Sequence, residues 1–91
     1  MLACAAALAI LVAAEAPAVV PPKNCGIMHV NGNAYTIKAD QMRCSKARKY
    51  SRRYLKNHNR PSGYQCQDYG QETRIKFRCW SGNKVFYAIR R

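Results

Sequence analysis

Four cysteines carry the clearest chemistry in this chain: Cys25, Cys44, Cys66 and Cys79, spaced by 19, 22 and 13 residues. Thiols at such intervals either ligate a metal or oxidise in pairs. Structural zinc sites gather their thiolates through C-x2-C knuckles, and no such knuckle occurs here. Two disulfides are the expectation, as in short exported chains whose cores are too small to hold themselves unaided. A fifth cysteine, Cys4, falls inside an apolar leader and stands outside that count. Neither a metal nor another cofactor is expected.

The acid and base inventory of the domain is short: His29, His58, Asp40, Asp68 and Glu72. A nuclease needs a general base, a general acid and a cation that holds the phosphate. His29 and His58 with a lysine would supply them, but the spacing does not ask for that pairing. Asp40 reads as a helix cap. His58 stands in a polar loop beside Arg60 and Pro61, where a solvated imidazole is the ordinary outcome. There is no Gly-rich phosphate loop, nucleophile elbow or metal motif. The chain therefore reads as a non-enzyme, with no catalytic residue assigned.

Charge offers more. Sixteen Lys and Arg stand against four Asp and Glu, a formal net charge of +12. Such an imbalance speaks to partners and solubility more than to fold. Nucleic acid, anionic lipid head groups, envelope polymers and acidic proteins are the partner classes it suits; a merely solvated basic surface is the bland alternative.

The elements that must position these residues begin after the leader. Residues 2–14 form an apolar run of signal-peptide length, too short to span a bilayer. With a small-residue cleavage site at Ala16-Pro17-Ala18, residues 1–18 read as a signal peptide and 19–24 as an extended tether stiffened by Pro21 and Pro22. The domain proper is 25–91, and no transmembrane segment is expected once the leader is removed. Two short extended runs flank Asn31-Gly32, a favoured two-residue hairpin turn. Asp40 then offers an N-cap to a helix over 41–57. On its wheel Ala47, Ser51, Tyr54, Tyr50, Cys44 and Leu55 share one side, and Lys46, Arg48, Lys49, Arg52, Arg53 and Lys56 the other. Pro61 and Gly63 break the chain into a loop. The last third reads as a three-stranded meander, and the whole as an α+β fold: hairpin, one amphipathic helix, then the meander, with the helix packed on a small antiparallel sheet.

A two-residue turn at Gly82-Asn83 sets Trp80 opposite Val85, Cys79 opposite Phe86 and Phe77 opposite Ala88. A short loop around Gln71 sets Cys66 opposite Cys79. Cys66–Cys79 and Cys25–Cys44 are then the pairs favoured by proximity, although spacing alone does not choose among three connectivities. One face of the meander holds Tyr64, Cys66, Ile75, Phe77, Cys79, Phe86 and Ala88 and should meet the helix. The other interleaves Arg74, Lys76 and Arg78 with Tyr69, Trp80 and Tyr87, so cations alternate with rings on which bases or sugars can stack. The ordinary alternative is that those rings cover their neighbours' aliphatic stems, or that the first hairpin or a second subunit lies over this face. Two candidate polyanion surfaces result: the helix face (Lys46, Lys49, Arg52, Arg53, Lys56) and the outer sheet face (Arg74, Lys76, Arg78, Trp80, Tyr87).

Tyr35-Thr-Ile-Lys-Ala39, Cys44-Ser-Lys-Ala47-Arg48, Pro61-Ser-Gly63-Tyr64-Gln-Cys66 and Phe77-Arg-Cys79 together resemble a class of small exported four-cysteine domains common in actinobacteria. The resemblance covers about Cys25 to Arg91. It implies a secreted α+β domain and brings no catalytic or binding residues with it. The functional expectation is a secreted, non-catalytic domain of the extracellular space or cell envelope that binds an anionic surface or polymer. The alternatives are a small extracellular nuclease-like enzyme and an inhibitor or interaction module for an acidic protein.

Overall fold

The computed structural model describes residues 21–91; the expected signal peptide, 1–18, and the first two residues of the expected tether lie outside the described residues. Strands β1 (Lys23–Val30) and β2 (Asn33–Asp40) precede helix α1 (Cys44–Asn57), followed by β3 (Gln65–Asp68), β4 (Ile75–Ser81) and β5 (Lys84–Arg90). All pairings are antiparallel and join into one five-stranded sheet in the order β1-β2-β5-β4-β3, with α1 on one face. The fold is α+β, as expected. The pairing of β2 with β5, Ile37 opposite Ala88 and Ala39 opposite Phe86, fuses hairpin and meander edge to edge. The hairpin therefore widens the sheet and does not cover its outer face.

The turns set the register. Asn31 and Gly32 have φ of 52° and 82°, the positive values a type I′ turn demands at both centres, and Val30 faces Asn33. At Gly82 φ is 61°, and Ser81 faces Lys84. The expected pairs Trp80–Val85, Cys79–Phe86, Phe77–Ala88 and Cys66–Cys79 all form. Both disulfides follow: Cys66–Cys79 links β3 to β4, and Cys25–Cys44 links β1 to the start of α1. Loops of this size give about 3 kcal/mol per bridge in the chain-entropy account.

Met28, Val30, Tyr35, Ile37, Ala39, Phe77, Cys79, Phe86 and Ala88 are buried under Ala47, Ser51 and Tyr54 of α1. The small side chains at 47 and 51, one turn apart, let the helix approach the sheet. Tyr54 then stacks on Phe77 with centroids 4.6 Å apart, while Tyr50 and Tyr64 meet Phe86 at 5.7 and 5.5 Å. Full burial of Phe77 and Phe86 contributes about 1.5–3 kcal/mol each.

Three expectations need correction. Lys23 and Asn24, expected to end the tether, already pair with Ala39 and Lys38 in β1. The helix starts at Cys44 and Asp40 does not cap it: Asp40 is held in β2 opposite Val85, and Gln41 turns the chain with φ 60°. Arg43 occupies the N-cap position without a side-chain hydrogen bond, and no acid lies in the first turn. Finally, Ile75 is half-exposed and faces Ile89. The register shifts between Ile75 and Phe77, so one extra residue, Lys76, breaks the alternation that would have put Ile75 beside Phe77 in the core.

A second bulge lies in β1, where Cys25 and Gly26 together oppose Ile37. By strict alternation Met28 and Val30 would face the core and Cys25 the solvent. The extra residue reverses that parity and turns Cys25 toward Cys44. Gly26 takes φ 91° there, a conformation other residues adopt only under strain.

Candidate functional site

The solvent side of α1 carries Lys46, Lys49, Arg52, Arg53 and Lys56, all exposed. The arrangement follows from the helical period: the small residues that face the sheet force the cations between them outward. Lys46 lies 6.0 Å from the Tyr50 ring centroid. Among the described residues the only contact between a basic and an acidic side chain is His58 Nε2 to Asp68 Oδ2 at 3.3 Å. No lysine or arginine there is ion-paired to an acid.

Arg48, read from the wheel as one of the outward cations, is spent otherwise. Its Nη1 donates to the carbonyls of Cys25, at 3.0 Å, and Ile27, at 3.3 Å. It thereby closes part of the free edge of β1, a position where unpaired backbone groups invite association. Arg48 is four residues beyond Cys44, whose disulfide fixes that helical face to β1; this spacing is the sequence feature that marks it.

The five residues expected on the outer sheet face, three cations and two rings, are divided by the structure. Arg78 and Trp80 do share it, with the guanidinium carbon 4.8 Å from the indole centroid. Tyr87 faces Arg78 directly. All three are half-buried. Burial, and then the Asp40 carboxylate, raise the Tyr87 hydroxyl pKa. Arg74 precedes β4, and its Nη2 donates to the carbonyl of Arg90 at 3.1 Å. Lys76 sits in the bulge and lines a depression with Tyr54, His58, Asp68 and Phe77 on the helix side. Lys76 is thus removed from the outer platform, and Arg74 is tied to the end of β5.

That depression, about 190 Å³, holds a small polar cluster. The Tyr54 hydroxyl donates to Asp68 Oδ1 at 3.1 Å, and Asp68 Oδ2 meets His58. Burial first, then the carboxylate, push the Tyr54 hydroxyl pKa up to about 12. His58 is also the helix C-cap, with φ 59° and its N–H donated to the carbonyl of Tyr54 at 2.8 Å. Its imidazole meets the Tyr54 ring edge-on at 4.9 Å. The histidine expected to be free in a loop is therefore engaged. Its side chain and that of Asp68 are 67% and 53% exposed, so the pair contributes little to stability. His29 lines a different depression, with Arg52 and Lys56; no depression described is lined by both histidines.

Arg90 is the most heavily engaged cation among the described residues. Its Nη1 donates to the carbonyls of Gly70, Thr73 and Ile75, at 3.1, 2.7 and 3.1 Å, and its Nη2 to that of Tyr69 at 2.8 Å. The planar fork gathers the whole β3–β4 connection onto the end of β5. Its parity was the available sign: Arg90 continues the series Phe86, Ala88 that faces the helix side, where a cation must find acceptors.

No protein-family model matches this chain, and no curated protein or solved structure is significantly similar to it. No helix among the described residues is long and apolar enough to cross a membrane.

Proposed function

We propose that this chain is a secreted, non-catalytic domain that binds an anionic polymer or anionic surface, outside the cell or in its envelope, through the solvent face of α1. The observation that carries this reading is the unopposed charge of that face. Lys46, Lys49, Arg52, Arg53 and Lys56 are all exposed, and no acid among the described residues is paired with any of them. Like charges at i,i+3 and i,i+4 weaken a helix, and an acid-free first turn forgoes a favourable interaction with the helix dipole. Such a face is costly to the fold and becomes favourable when an anionic partner neutralises it. The two disulfides suit an exported setting and offset the marginal core of so small a domain.

The test is binding of a labelled duplex or polyphosphate across a salt series. Displacement of condensed counterions makes such binding fall steeply with salt and depend little on sequence. Salt-insensitive binding, or none at 50 mM salt, would overturn the proposal.

A further inference from the structure

The position of Arg48 fixes which backbone groups β1 leaves open. In an antiparallel pair, alternate residues turn both N–H and C=O toward the partner strand or away from it. Val30 faces Asn33 across the two-residue turn, so Val30 and Met28 point theirs at β2, and His29 and Ile27 point theirs at the free edge. The Arg48 bond to the Ile27 carbonyl agrees with that phase. A helix advances about 6 Å in four residues and a strand about 6.8 Å in two. The series Arg48, Arg52, Lys56 therefore keeps step with Ile27, His29 and Asn31 along the edge. Arg48 is consumed by carbonyls. Arg52 and Lys56 are not: they are exposed and have no hydrogen-bond partner among the described residues. With His29, Val30 and Asn31 they line a depression of about 230 Å³ that contains no acid.

We infer that this depression is a phosphate-binding site: one phosphate group held by Arg52 and Lys56, with the edge N–H and imidazole of His29 as further donors. A guanidinium fork, an ammonium and a backbone N–H together suit a tetrahedral phosphate, with more acceptor atoms than a carboxylate presents. The site deepens the polyanion proposal and rests on it. It adds the chemical class of the ligand, a phosphate-bearing polymer in preference to a carboxylate-bearing one.

The test compares two polymers, polyphosphate and polyglutamate, at matched charge concentration and salt. Wild-type protein is expected to prefer polyphosphate by about tenfold, the equivalent of one added hydrogen bond to a charged group, and inorganic phosphate alone should give saturable shifts of the His29 and Asn31 amides that chloride at equal ionic strength does not. Arg52→Gln/Lys56→Gln should abolish those shifts and bring the preference to near unity. Lys46→Gln/Lys49→Gln, which removes the same charge elsewhere on α1, should weaken both polymers and keep the preference. An equal preference in all three proteins, or none in the wild type, overturns the phosphate site while leaving polyanion binding standing. Failure of the wild type to bind either polymer overturns both.

Discussion

Removing two of the exposed helix cations should weaken polyanion binding and stabilise the fold at the same time. Lys49 is flanked at i−3, i+3 and i+4 by Lys46, Arg52 and Arg53, with no acid in the helix to relieve them. Each like-charged pair costs about 0.2–0.5 kcal/mol at low salt, so Lys49→Gln alone, which removes three such pairs, recovers about 0.6–1.5 kcal/mol. From Lys46 to Lys56 the row extends about 15 Å along the helix axis, long enough for every cation to meet a phosphate of a duplex carrying one charge per about 1.7 Å. Five contacts set an upper limit of about −4.5 for the slope of log affinity against log salt, hence about a 500-fold loss between 50 and 200 mM. In Lys49→Gln/Arg53→Gln three contacts remain. The slope should fall to about −2.7 and the loss over the same range to about 40-fold. Arg78→Gln, on the opposite face of the sheet, should leave the slope near that of the wild type. Fluorescence anisotropy of a labelled duplex over a NaCl series gives the slopes, and thermal unfolding followed by circular dichroism gives the stability. An unaltered slope in the helix variant, or a slope lowered as much by Arg78→Gln, would refute placement of the binding face on α1. A fall in melting temperature alongside weaker binding would refute the claim that these charges oppose folding.

Arg90→Lys should destabilise the domain by about 2 kcal/mol, because a point ammonium cannot serve the four carbonyls that the fork now satisfies; denaturant unfolding measures it, and hydrogen exchange should quicken first around residues 69–74. Ser51→Ala should be neutral or raise stability by up to about 1 kcal/mol, since the Ser51 hydroxyl is buried and unpartnered; a loss above 1 kcal/mol in chemical denaturation would refute that account. Tyr54 ionises at about pH 12 in the folded chain, against about 10 for the unfolded chain. The proton is thus retained longer when folded, and its contribution is fully present below pH 10 and declines as pH rises toward 12. Tyr54→Phe should flatten that part of the stability profile; an unchanged decline would assign it to other groups, among them Tyr64 and Tyr87, whose pKa values are also raised.

The parts of the structure readable from sequence are those governed by local turn chemistry and parity. Asn31-Gly32 and Gly82-Asn83 fix two hairpin registers, and the second carries Cys79 to Phe86 and Trp80 to Val85 without any knowledge of the tertiary fold. What escaped are the places where one residue is added or a distant strand intervenes. The two bulges, at Cys25-Gly26 and around Lys76, each reverse the alternation of their strand. The first has a sign in the sequence, a cysteine out of phase with Met28 and Val30 followed by glycine. The second has none that is local. Asp40 fails as a cap because β5, forty-five residues downstream at Val85, claims its backbone, a pairing that local pattern does not reveal. The basic charge was plain from composition, but its division was not. Arg48, Arg74 and Arg90 are occupied by carbonyls that exist only once β1 has its free edge and the β3–β4 connection has closed. Arg78 lies against Trp80. Cations that satisfy the fold's own acceptors lose donors they would otherwise offer to a ligand. Among the cations that make no such bond, Lys46, Lys49, Arg52, Arg53 and Lys56 are the ones gathered along one element, the outward row of α1, and within it Arg52 and Lys56 are the pair set against an open backbone edge. That remainder, and not the total charge, is what the fold leaves free for an anionic ligand.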